Sequence, residues 1–225
     1  MEPKKSPEIP PLIIDGPPWE KKHELGFFLG FLETIKAFLF RPAQTFSVMR
    51  RSAGIGDALT YTVALQVFTF IWSFSLAGAD PEMLLPKDPE IISLLNLPDN
   101  FFRNLVFLFP VSVILIQFIS AYAFHVAMKW RQLQVYDFKL IFRIFAYASG
   151  TASVLLLIPI VGGLVSMALT IYIAYNGLKI IYGMDVASIT ISSLLALLLS
   201  IGLYLVSGLI IAGLLILFAL IPAAV

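Results

Sequence analysis

The chain has 225 residues, of which 59% are hydrophobic and 13% charged, against about 25% charged in an average soluble domain. Mean hydropathy is +0.92, more apolar surface than a soluble fold of this size can hide, which excludes a disordered chain, a nucleic-acid binder and an ordinary soluble enzyme. Net charge is +1, Cys is absent and the two histidines, His23 and His125, lie far apart in the chain, so disulfides and thiolate chemistry are excluded and no metal or cofactor is expected.

The first twenty residues carry six prolines, which forbid the apolar helix of a cleavable signal. Residues 1–24 read as a solvated, proline-rich arm. Within it, Asp15, Gly16, Pro17, Trp19 and Glu20 combine a turn signal with a large aromatic side chain. They are the candidate partner-binding residues. Trp19 can bury much area against a partner or a lipid interface, or it can dock the arm on the protein itself.

Phe27 to Phe40 is apolar, but fourteen residues reach about 21 Å as a helix, short of the roughly 30 Å hydrocarbon core. Pro42 blocks its extension. The segment is expected to be an amphipathic helix lying at the interface. A second short helix is expected from Pro42 to Arg51, with Phe46 and Met49 facing the membrane and Arg41, Arg50 and Arg51 near lipid phosphates.

Five apolar segments follow, at about 58–76, 102–128, 140–158, 160–181 and 189–221. The polar loop after the first, about 79–100, has four prolines and a short amphipathic piece from Ile91 to Leu97. Pro159 with Gly162 and Gly163 separates the third segment from the fourth. The fifth, about 50 Å if helical, predicts one tilted helix extending past the membrane. The fold class is therefore all-α: a polytopic membrane protein of five transmembrane helices with an N-terminal interfacial helix. It divides into an arm (1–24), interfacial helices (25–57) and a transmembrane domain (58–225). Thirteen of the fifteen basic residues fall on one side of this arrangement; Lys87 and Arg103 fall on the other. The positive-inside rule puts the N-terminus in the cytoplasm and the C-terminus outside.

Small residues recur every four positions at Gly162, Ser166, Thr170 and Ala174, and again at Ser192, Ala196 and Ser200. Such rows let helices approach closely in lipid, and they predict that the fourth and fifth spans pack together. Gln66, Gln117, Tyr147 and Asn176 are the intramembrane polar groups to watch. They fit interhelical hydrogen bonding, and Tyr147 fixes a helix pair or lines a small cavity. Arg143 and Lys179 lie near cytoplasmic helix ends, where long side chains reach the headgroups. No span contains a deep Asp or Glu of the kind a coupled carrier uses, and no catalytic triad or phosphate-cradling loop is present.

The arm element Asp15-Gly16-Pro17-Pro18-Trp19, followed by five spans whose third contains Ala146-Tyr147-Ala148-Ser149 and leads into Ile158-Pro159-Ile160, resembles the Yip family (Ypt-interacting protein, the Yip-one domain). The stretch Phe31 to Ala58, with Leu39-Phe40-Arg41-Pro42, Phe46, Met49, Gly54 and Gly56, looks like the prokaryotic members. The resemblance implies an integral membrane protein without catalysis that organises protein partners, lipids or itself. Eukaryotic relatives act as adaptors in vesicle traffic and contact small GTPases of the Rab class. The expected function is a membrane adaptor or organiser in a bacterial inner membrane. Membrane lipids, a protein partner on the cytoplasmic face and further copies of the chain are its expected partners. The competing reading is a small oligomeric transporter or channel.

Overall fold

The computed structural model describes residues 16–76, 109–133 and 137–220, and these contain helices and turns but no strand. Asp15, the rest of the arm before it, the 79–100 loop and the start of the second span lie outside the described residues. A 3-10 turn, Pro18–Lys21, leads into α1 (Lys22–Leu25), α2 (Phe27–Phe40) and α3 (Pro42–Ser47). Five long helices follow: α4 (Gly56–Leu76), α5 (Phe109–Trp130), α6 (Phe138–Ser153, prolonged by a 3-10 turn to Leu157), α7 (Gly162–Tyr182) and α8 (Val186–Leu220). Helix starts follow local chemistry. Pro42 opens α3, where its missing N–H costs nothing. The Asp137 carboxylate accepts from the Lys139 N–H to cap α6. The Asp185 carboxylate accepts from the Ser188 N–H at the start of α8, and the Ser188 hydroxyl, with that N–H, holds its carboxyl below the usual carboxylate range.

Four helical segments among the described residues are long and apolar enough to cross a membrane: Val111–Trp130, Phe138–Leu157, Gly162–Tyr182 and Val186–Ile210. Of these, Phe138–Leu157 is the most enclosed, because α6 is the axis of the bundle and α2, α4, α5 and α7 all pack on it. Its second half, Ala146-Tyr147-Ala148-Ser149-Gly150-Thr151-Ala152-Ser153, is built mostly of small residues, so neighbours can approach from every side. Gly150 marks the tightest approach to α4: a Cβ there would lie 2.9 Å from the Thr62 Cα.

Two expectations from the sequence are corrected. The fourth and fifth spans do not pack along each other; α7 lies on α6 and α8 lies on α5. The small rows are real packing rows, but other helices occupy them. Gly177 of α7 faces Ile144 of α6. The Ser192, Ala196 and Ser200 row of α8 is buried, with Arg131 at the end of α5 donating to the Ser188 carbonyl (2.6 Å) and the Ser192 hydroxyl (3.0 Å). Ser120 and Tyr204 are joined at 2.8 Å further along the same pair. A four-residue row states how closely a partner can come, not which helix arrives. Second, Phe46 and Met49 are core residues, 1% and 5% exposed, not lipid-facing. Phe46 fills the space left by Gly177 and lies 4.9 Å from the Phe38 ring.

The α4–α6 contact predicts that Gly150→Leu destabilises the bundle by about 1–3 kcal/mol through overpacking. Gly202→Leu, at a position open to the surroundings, should leave thermal unfolding in detergent unchanged. Equal midpoints for both variants would refute the close approach.

Candidate functional site

The arm ends on the bundle in a compact anchor. Gly16 takes φ +105, a conformation that favours glycine. The chain then turns, with the Glu20 N–H donating to the Pro17 carbonyl at 2.9 Å. That turn aims two consecutive side chains inward. The Trp19 indole is 2% exposed and donates its Nε1–H to the Asp57 carbonyl at 2.8 Å. Its backbone N–H donates to Thr34 Oγ1 at 2.6 Å. Phe27, Phe31 and Tyr61 surround the ring at 5.1, 5.5 and 6.1 Å. The Lys22 ammonium lies 5.0 Å from it and pairs with the Asp57 carboxylate.

Glu20 reaches deeper. Its Oε1 lies 2.5 Å from Arg143 Nη2, and the Tyr147 hydroxyl donates to the same oxygen at 2.9 Å. The Arg143 and Glu20 side chains are 1% and 5% exposed. Arg143 also donates through Nη1 to the Arg50 carbonyl, in the linker between α3 and α4. One guanidinium therefore ties the arm and that linker to α6. This corrects the expectation that Arg143 extends to the headgroups: its side chain is enclosed and its guanidinium turns to Glu20 and the Arg50 carbonyl. Lys179 is exposed and lies 5.9 Å from the Tyr175 ring.

The five candidate partner-binding residues are thus placed as follows. Gly16, Pro17 and Trp19 are buried and the Glu20 carboxylate is enclosed, so the Trp19 ring is held inside the chain, not offered outward; Asp15 lies outside the described residues. Sequence reasoning missed the role of Thr34, Phe38 and Asp57 in seating the arm, and the pairing of Glu20 with Arg143. A usable signal existed: Arg143 and Tyr147 are four apart on a helix otherwise poor in charge, so one face of α6 asks for an anion.

The intramembrane candidates divide into two groups. Gln117 donates to Ser149 Oγ at 2.5 Å, and Tyr61 and Thr151 share a 2.9 Å bond, both joining helices in mid-bundle. Asn176 donates to the Tyr172 carbonyl one turn back and links nothing. Gln66, Pro159, Ser166 and Thr170 instead border a cavity of about 650 Å³ between α4, α6 and α7, at the end of the bundle away from the arm. Gly162 is buried beside it, where a Cβ would strike the Leu155 carbonyl. Neither Tyr147 nor Asn176 lines that cavity. Among the described residues there is no cluster of His, Cys, Asp or Glu able to hold a metal.

A helical bundle of membrane-crossing length, with a charged arm folded onto one end, defines an integral membrane protein. The Yip1 domain profile matches residues 36–210, and the chain belongs to that family, whose members are generally non-catalytic membrane proteins. The match takes in Arg143 and Tyr147 but begins after Trp19 and Glu20. No curated protein and no solved structure matches the chain.

The anchor predicts that Glu20→Ala destabilises the protein by about 3–5 kcal/mol, the usual cost of leaving one buried charge unpaired. The double variant Glu20→Leu with Arg143→Met should recover much of the loss. Thermal unfolding in detergent and tryptic cleavage at Lys21 and Lys22 report both; equal stability of Glu20→Ala and the parent would refute the coupling.

Proposed function

We propose that the protein is a five-span membrane adaptor or organiser of the Yip type, without catalytic activity, which binds lipid or a protein partner through its cytoplasmic cap. The observation that carries this reading is the two-sided character of α2. Gly30, Thr34 and Phe38 are buried on the bundle, while Phe28, Leu32 and Phe40 are 79%, 53% and 77% exposed. Lys36, paired with Glu33, lies in the same row between Leu32 and Phe40, and Arg41 follows at the helix end. An apolar face beside basic side chains suits the boundary of headgroups and acyl chains. Binding is therefore assigned to α2, and the Gly16–Glu20 element becomes the clamp that holds α2 in place.

Helix α4 supplies the fifth span: its 21 residues reach about 31 Å. An odd number of spans puts the termini on opposite sides, and the basic residues' bias supports a cytoplasmic N-terminus and an external Val225 in a bacterial inner membrane. The outward side of α8, with Leu194, Leu198, Ile201, Leu205 and Leu209 exposed, faces lipid or a second copy. A transporter is less well supported. The polar cavity reaches Ser149 but not Tyr147 or Asn176, and Tyr61, Tyr147 and Phe38 stack toward the arm with ring centroids 5.4 and 4.9 Å apart.

A photoreactive side chain placed at Phe28 in the full chain should crosslink lipid or a discrete protein in cells. The same side chain at Trp19 should give internal crosslinks only. Reversal of that pattern would return the binding role to the arm. Alkaline phosphatase fused after Val225 should be active and green fluorescent protein dark; the opposite result would overturn the span count.

A further inference from the structure

The cavity between α4, α6 and α7 has a chemical character that the adaptor reading does not use. Its volume of about 650 Å³ falls in the roughly 300–1,000 Å³ range of small-molecule sites. Among the described residues no charged side chain lines it. Its polar surface comes from Gln66, Thr69, Ser73, Ser149, Ser153, Ser166 and Thr170.

Most of these hydroxyl protons are already committed. Thr69 donates to the Gln66 carbonyl (3.1 Å), Ser73 to Leu156 (3.3 Å), Ser153 to Gly150 (2.7 Å) and Thr170 to Ser166 (2.9 Å). A hydroxyl that has donated keeps lone pairs and can only accept. The Gln66 amide and the Ser166 hydroxyl have no side-chain partner among the described residues. Gln66 is half-buried, so its amide stays accessible from the cavity. The wall therefore offers several acceptors, one uncommitted hydroxyl on Ser166, and one amide able both to donate and to accept.

The setting also favours entry from the side. Helices α4 and α7 flank α6 without packing on each other, and the cavity occupies the gap between them. Its lip is the Ile158-Pro159-Ile160 turn. Ile160 is fully exposed and sits at φ +69, an outlier for a β-branched residue.

We propose that this cavity is a binding site for an uncharged, hydroxyl-bearing head group that donates to the hydroxyl wall and pairs with the Gln66 amide. A diacylglycerol-like lipid head or a soluble polyol supplies that chemistry. Among the described residues no charge in the lining is placed to counter a phosphate or ammonium head, so the wall matches an uncharged one.

The test uses the full chain in liposomes containing a photoreactive, alkyne-tagged diacylglycerol, with adducts mapped by mass spectrometry. Labelling should concentrate on peptides spanning 149–170. It should fall about tenfold in Gln66→Leu, the scale of one lost ligand hydrogen bond. Gly163→Leu fills the lip where a Cβ meets no atom within 4 Å, and it should abolish labelling with an unchanged unfolding midpoint. Excess glycerol or inositol that suppresses labelling identifies the soluble source; labelling that resists both identifies the lipid. Equal labelling by the same lipid with its hydroxyl methylated, or no effect of Gln66→Leu and Gly163→Leu, would overturn the proposal and leave a water-filled cavity. The outcome is independent of the α2 reading, which the Phe28 crosslink decides separately.

Discussion

The arrangement of the end of the bundle that carries the arm depends on one buried ion pair. Arg143 sits in the helix that every neighbour packs against, and no carboxylate on the long helices meets it. Its counter-ion arrives from 123 residues away in the chain, on Glu20. A guanidinium buried in a bundle is costly alone, so the arm is held where the charge requires it. Once Glu20 is fixed, Trp19 is fixed beside it, and with it the Thr34 hydroxyl, the start of α4 at Asp57 and the inner face of α2. The short helices thus become part of the folded unit. Buried pairs of this kind contribute more to register than to net stability, since two apolar side chains of similar volume pack as well.

The rest of the bundle follows from the composition of α6. Its first turns carry bulky Leu140, Ile141, Phe142 and Ile144, and these fill the space near the anchor. Its later turns are small, and there α4 comes in at Gly150. Bulk at one end and smallness at the other leave different interiors. Near the arm the interior is an aromatic cluster of Phe38, Tyr61 and Tyr147. Away from the arm, short hydroxyl side chains do not fill the volume, and a polar cavity remains. The two ends of the protein thus present different chemistry: an apolar helix face beside the arm, and a hydroxyl-lined recess away from it.

The helices were legible because membrane-spanning segments announce themselves by length, apolarity and punctuation. Pro42 and Pro159 stand at the breaks expected of them. The candidate site was legible only in part. Trp19 and Glu20 drew notice as unusual residues in a proline-rich arm, and Arg143 and Tyr147 as polar residues near a span. That these four belong to one cluster was not readable, because no periodicity relates residues so far apart in the chain. Gln66, Ser166 and Thr170 were likewise visible one by one, whereas their common cavity exists only between helices.

By itself the sequence determined that the chain is helical, that it carries apolar helices long enough to cross a membrane, and which small residues allow close packing. Those properties depend on neighbours within a few residues, through backbone hydrogen bonding, φ restriction and side-chain size. Tertiary structure decided which helix fills each narrow face, that Phe46 and Met49 face inward, and that Arg143 is neutralised by the arm and not by lipid. Those outcomes depend on charge compensation and volume matching between distant segments. Each helix offers several acceptable faces, and only the assembled bundle selects among them.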